Sequence, residues 1–442
     1  MFPLSRPFRQ GLATAALVVF TVLPTVFVTL YAWRINRPGH VRDVEITLGR
    51  RLGMQVTLDE AVYPRPGEVV YRGLVLRREE PRSKGLVEIA RAKSLRLISA
   101  GRELTVHAEE MTLVGESPQE AMATVDALLQ RSGELPYDRV SLTVPSCKID
   151  LGGGLVFAAQ DVAGAFKADP IEPKLSIAYR LVEAGSKTRC EMVLSRDRST
   201  DPVRASLALK TLEGPPLSAR VLNVFFDATG WMGDDAKVAG ELALRRSGGR
   251  EWEGEFTGDL LDVDLAAMVD RRFPSHRLAG SARVAVEAAR WGDRPGQGPG
   301  WIEARGRLSA GQGVVGADLL TALAREMRFR LDPRASRIDP RKTELEFGAL
   351  GLGFDMRADG EIHLTGSLGN EYAPEAVLAG GSNAIAFAPR GAASVHGLIK
   401  TLVPVADAQA GTLVPLTAES RLLLCLPAPP DGVRPARTMD AN

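Results

Sequence analysis

Gly311-Gln312-Gly313-Val314-Val315-Gly316 has the G-x-G-x-x-G spacing. In that spacing, glycines let a backbone approach a pyrophosphate at a helix N-terminus. A strand-like stretch, WIEARGRLSA, precedes it, a helix-like one, ADLLTALAREM, follows, and Asp332 stands about 20 residues on. The neighbouring residues argue against a nucleotide. Glu303, Arg305 and Arg307 alternate with Ile302, Ala304, Gly306 and Leu308, whereas the strand before a dinucleotide turn is buried on both faces. No series of βα units surrounds the motif, and the next strand, MRFRLD, carries Arg328 and Arg330. The spacing therefore predicts a turn capping a helix, with no nucleotide bound.

The other chemistry-bearing residues are dispersed. His40, His107, His276, His363 and His396 never stand two or four apart, so no zinc pair or triad forms locally. Asp262-Val263-Asp264 has the look of a metal-sugar DxD site, but it equally suits a helix N-terminus, where carboxylates oppose the dipole. Gly152-Gly153-Gly154 lacks a following lysine and reads as a turn, and neither G-x-S-x-G nor S-x-x-K occurs. Cys147, Cys190 and Cys425 form no CxxC pair. The first two lie in strand-like stretches as buried small hydrophobes, with a disulfide between them left open. These residues give no catalytic constellation, so the expectation is a protein that is not an enzyme, with no metal and no cofactor.

What must position any site is set by the rest of the chain. Fifty-five basic residues against 54 acidic ones give a net charge of +1, which supplies no field for nucleic acid. Gln10 to Trp33 holds no charge over 24 residues, roughly 36 Å as a helix and enough to span a bilayer. Arg6 and Arg9 precede it, Arg34, Arg37 and Arg42 follow, and Tyr31 and Trp33 lie where an interfacial aromatic belt would. The run is too long for a cleaved signal peptide, and its exit, Leu30-Tyr31-Ala32, lacks a small-x-small site. The expected organisation is a cytoplasmic tail over 1–10, a transmembrane anchor over 11–33, a linking helix over 34–53 closed by Gly53, a β body over 54–426, and a disordered proline-rich tail over 427–442.

In the body the period is two. MQVTLDEAV, EVVYRGLVLRR, LVEIARAKSLRLI and ELTVHAEEMTLVG read as four strands, and Ser117–Arg131 as a helix opened by Ser-Pro. Strands resume with DRVSLTVPSCKIDL and continue to VRASLALKTL. PPLSARVLNVFF, LDVDLAAMVDRR, ADLLTALAREM and ASVHGLIKTLV read as short helices, and Arg290–Gly300 as a loop. Later strands alternate cleanly, and such alternation predicts an antiparallel sheet with one apolar and one wet face. On the order of fifteen strands with few helices leave an apolar face that must close, stack or curl into a trough holding apolar ligand. Gly240, Gly254, Gly258, Gly280, Ala282, Gly306 and Gly366 on that face permit strong curvature. The residues expected to line the trough are Leu242, Leu244, Trp252, Phe256, Val284, Val286, Ile302, Leu308, Ile362 and Leu364.

The anchor, the short helix and LGRRLGMQVTLDEAVYPRPGEVVYRGLVL resemble the start of AsmA-like proteins. RAKSLRLISAGRELTVHAEEMTLVG fits their next two strands, and LLTALAREMRF followed by ELEFGALGLGFDMRADGEIHLTGSLGN resembles their C-terminal region. The middle of the chain has no motif of that family. The resemblance implies an inner-membrane-anchored periplasmic β-groove related to bridge-like lipid transporters, acting in envelope lipid transfer or outer-membrane assembly. The expected fold is mainly β: a long curved antiparallel sheet forming a groove (β-taco-like) with a few short helices, preceded by one transmembrane helix. The expected partners are membrane lipid (phospholipid or glycolipid acyl chains), the inner membrane through 11–33, and envelope proteins, with no nucleic acid. The competing expectation is a structural or adaptor protein with a closed, dry β core.

Overall fold

The computed structural model describes residues 11, 14–35, 37, 39–79, 85–115, 129–130, 136–152, 154–183, 186–224, 226–248, 253–294, 298–333, 343–369 and 372–402. Trp252, most of the Ser117–Arg131 segment and the proline-rich tail lie outside them. The described strands belong to one 23-stranded sheet, so the fold is mainly β, as the alternation requires.

A π-helical turn over Val18–Val22 runs into an α-helix over Leu23–Ile35. Pro24 accounts for the widened turn. It has no N–H to give, its ring crowds the carbonyl four residues back, and Leu23 N–H bonds to Val18 O instead. The helix expected over 11–33 thus widens at Val18–Val22, and among the described residues no helix is long and apolar enough to cross a membrane. The linking helix is His40–Leu52, closed by Gly53 at φ 68°. Its Val41, Val44, Leu48 and Leu52 pack on Val56, Leu58, Tyr71 and Leu74. Glu45 Oε1 accepts from Leu58 N–H at 2.8 Å, and His40 Nε2 lies 2.9 Å from the Tyr63 hydroxyl.

Gln55–Thr57 and Glu60–Arg65 are two halves of an edge strand, both antiparallel to Glu68–Glu79. From there the sheet is laid down almost in chain order, each strand beside the one before it. It is mixed, however, rather than antiparallel throughout. ELTVHAEEMTLVG, expected as one strand, is Glu103–Ala108 and Glu110–Val114, and both pair in parallel with Arg139–Asp150. Parallel neighbours need a crossover of a dozen or more residues, and 115–138 supplies it. Of the helix expected there, Leu129 and Gln130 are described, and both are helical.

In the second half, Leu278–Arg294 and Gly298–Gly316 pair along their length, so the expected Arg290–Gly300 loop shrinks to a hairpin end with Arg294 opposite Gly298. The glycine motif is corrected by the same ladder. Gly311–Gly316 is not a turn but the last part of the Gly298–Gly316 strand, with Gly313 opposite both Gly280 and Phe347. The Ala317–Glu326 helix starts only after it. The segments read as short helices are shorter still: PPLSARVLNVFF is a strand fragment and a 3-10 turn over Ala219–Val224, and LDVDLAAMVDRR holds a single turn over Leu265–Met268. A further turn, Ala228–Met232, is capped by the Asp227 carboxylate accepting from Gly230 N–H. At the C-terminal end, Ala317–Glu326 and Val395–Leu402 pack on each other and on a cluster that includes Val315, Phe347, Leu350, Ile362 and Val377.

Candidate functional site

Cross-strand register, rather than any polar constellation, defines the site. Residues directly opposite in paired strands share a face, so a face can be followed from strand to strand. Val69 faces Leu97, Leu97 faces Val106, Val106 faces Leu142, and Leu142 faces Gly164. The row continues through Ile177, Met192, Leu209 and Leu242 to Phe256. It then passes Ala289, Ala304, Met356 and Ile362 and ends at Ala393. Fifteen successive positions are therefore apolar or glycine, with no polar side chain among them. At a strand spacing near 4.8 Å the row runs roughly 65 Å along the sheet.

Parallel rows flank it. Leu175, Leu194, Leu207, Leu244, Gly254, Trp291 and Ile302 form one. Gly258, Val286, Gly306, Phe354 and Leu364 form the next, and Val238, Leu260, Val284, Leu308 and Leu352 the one beyond. Nine of the ten residues expected to line a trough thus fall on four adjacent rows of one face; Trp252 lies outside the described residues. They do not share one environment. Leu242, Leu244 and Phe256 pack with Leu194, Leu207 and Leu129 in the middle of the sheet. Val284, Leu308, Ile362 and Leu364 instead pack into the C-terminal cluster beneath the two helices. Most of the long row is half-buried: Leu97, Leu142, Ile177, Met192, Leu209 and Phe256 are neither exposed nor fully covered.

Sequence reasoning missed the first half of the row, from Val69 to Leu209, because bulges break strict alternation there. Inward residues step by three instead of two at one place in each successive strand: Tyr71 and Leu74, Ala108 and Met111, Val144 and Cys147, Ala159 and Val162. Gly73 at φ 61° and Asp161 at φ 51° sit at two of these steps. A bulge inserts one residue and resets the parity, keeping the apolar side chains on one face. A second line of steps crosses the later strands at Asp262 (φ 53°), Ser281, Gly311-Gln312 and Gly348. The glycine motif belongs to this line.

The remaining candidates resolve individually. Asp264 caps the Leu265–Met268 turn by accepting from Ala266 N–H at 2.9 Å, and Asp262 pairs with Lys237 at 2.6 Å. Gly152 and Gly154 have left-handed φ in a turn closed by Leu155 N–H on Gly152 O. Cys147 and Cys190 are buried free thiols, and burial pushes each up to about 11. Glu68, buried beside Val69, lies between Arg96 and Arg65, and Arg96 above all holds its carboxyl below the usual range. Two clefts of about 580 and 380 Å³ are lined by charged residues, Arg290, Glu303, Arg305 and Asp355 in the larger, Lys237, Asp262 and Arg283 in the smaller. Among the described residues no three His, Cys, Asp or Glu side chains converge as a metal site. No family model, no curated protein and no solved structure matches this chain.

Proposed function

We propose that this chain is an AsmA-like, membrane-anchored envelope protein that carries lipid acyl chains along the apolar face of its sheet. The observation that carries the reading is the apolar row from Val69 to Ala393. Its length of roughly 65 Å is about four times the thickness of one leaflet's hydrocarbon, which suits several acyl chains end to end. Half-burial of its central members supports a face that still has something to gain from cover, at about 0.8 kcal/mol per buried methylene. Curvature into a groove is part of the proposal, and the two lines of bulges are its support.

The anchor is likewise proposed for 11–33. Phe20, Phe27, Val28 and Leu30 are strongly exposed, and the Thr25 and Thr29 hydroxyls donate to carbonyls one turn back, which leaves them satisfied without water. On this reading the bulk of the chain is periplasmic. The rival, a closed dry core, is favoured by the C-terminal cluster, where Ala376, Ala379 and Leu378 are fully covered, and by Val144, Leu194 and Leu207, which are covered as completely in the middle of the sheet.

The test is lipid extraction and mass spectrometry of the purified full chain. Phe256→Glu is expected to lower bound lipid several-fold without unfolding the protein. Thr257→Lys, on the wet face opposite Glu241, is expected to leave lipid unchanged. Absence of lipid from the wild-type chain, or equal effects of the two changes, would sink the proposal.

A further inference from the structure

The outer face of the linking helix is the surface that the proposed function leaves unexplained. His40–Leu52 turns Val41, Val44, Leu48 and Leu52 onto the sheet. On the opposite side Arg42, Ile46 and Arg50 follow one another at i, i+4 and i+8, and all three are exposed. Ile46 is 45% exposed, an apolar side chain set between guanidinium groups. Asp43 is the acidic residue on this face; Glu45 is turned to Leu58 N–H. Just upstream, the Arg37 guanidinium stacks 3.6 Å over the ring of Trp33, itself 60% exposed. An indole with a stacked guanidinium is at home at headgroup level, the ring among glycerol groups and the cation on phosphates.

We infer that this face lies on an anionic bilayer surface, with Ile46 dipping below the phosphates that Arg42 and Arg50 contact. Chain length keeps the helix near the bilayer once Trp33 sits at the interface: Arg42 is five steps along the chain from Arg37, at most roughly 18 Å. Arg42 and Arg50 are then about 12 Å apart along the helix axis. The excess of arginine over aspartate on the exposed face is the complement of phosphatidylglycerol-type headgroups. The same helix packs on the cluster of Val56, Leu58, Tyr71 and Leu74, which Val69 and Leu97, the first two members of the apolar row, also join. It is therefore held between the bilayer and the beginning of the row, and that is where acyl chains would be loaded.

This inference rests on the anchor, so the test reads both. The full chain carrying Cys425→Ser and Ile46→Cys is labelled at position 46 with an environment-sensitive fluorophore; Cys147 and Cys190 are buried and stay unlabelled. It is reconstituted in vesicles of phosphatidylcholine, with or without phosphatidylglycerol, some lipids bearing a quencher in the upper acyl chain. Quenching is expected only with phosphatidylglycerol, and Arg42→Glu/Arg50→Glu should weaken it about ten-fold while the chain still resists carbonate extraction. A label that stays in water in every vesicle, on a chain that resists carbonate, overturns the inference and leaves the anchor standing. So does a label protected only in whole cells, which would make a protein the occupant. Release by carbonate overturns the anchor itself.

Discussion

Gly240 and Gly258 meet face to face at φ near 154° and 153°, and a methyl group on Gly240 would stand 2.2 Å from Thr257 O and 2.7 Å from Gly258 Cα. Gly240→Ala is expected to cost about 1–3 kcal/mol in denaturant unfolding. Gly311 is the contrasting case. Its φ is not left-handed and nothing lies within 4 Å of a methyl group there. Gly311→Ala should stay within about 0.5 kcal/mol of wild type and, if the motif is a strand and nothing more, change no nucleotide binding. Sequence spacing could not separate these two glycines, because the difference lies in what faces them across the ladder. The thiols give a second residue-scale expectation. Unfolded, Cys147 and Cys190 ionise near 9, whereas in the fold they are held up to about 11. Between those values the unfolded chain loses protons that the native chain keeps, so stability falls as pH rises, by at most about 1.4 kcal/mol per unit for each thiol. Urea unfolding across that window should show the slope in wild type and lose part of it in Cys147→Ala/Cys190→Ala.

At the scale of elements, alternation made most strands legible: KLSIAYRLVE is the strand Lys174–Glu183 residue for residue. What alternation could not carry was parity across bulges or strand direction. The Ser-Pro signal at Ser117 marked a connection between strands, but periodicity within strands says nothing of how two of them run relative to each other, and the crossover made the pairing parallel. Helix ends were legible where the chemistry is local, as at Gly53, and over-long where an apolar run such as PPLSARV is held by the sheet instead. The Val395–Leu402 helix is fastened by a contact no pattern announces. His276, 6% exposed, donates from Nε2 to Thr401 O at 2.5 Å, while its Nδ1 is buried without a hydrogen-bond partner. His276→Ala should leave that carbonyl unpaired and cost about 1–3 kcal/mol. The readout is hydrogen exchange, quickened over Val395–Leu402 before any other helix.

For the molecule as a whole, the sequence made one apolar face evident, and nine trough residues proposed from it lie on adjacent rows. It did not reveal that the face continues unbroken into the first half, nor that its C-terminal end is roofed by helices. A graded lipid phenotype follows from that division. On the proposed function, Met192→Glu and Leu209→Glu, in the half-buried middle of the row, should deplete bound lipid as is expected of Phe256→Glu. Ile362→Glu, under the helices, should unfold the C-terminal cluster instead, seen as a lowered melting temperature with lipid lost only alongside it. The laying down of strands in chain order has a consequence in time. A ribosome or translocation pore delivers the N-terminal hairpins first, and each later strand finds its ladder partner already waiting at the growing edge. Assembly can therefore proceed as a zipper whose teeth arrive in order, with short loop closures at most steps and longer ones at the crossover, between Glu213 and Lys237, and between Gly316 and Glu344. The cost is a bare strand edge throughout synthesis, open to a second nascent chain until the last hairpins fold over the end.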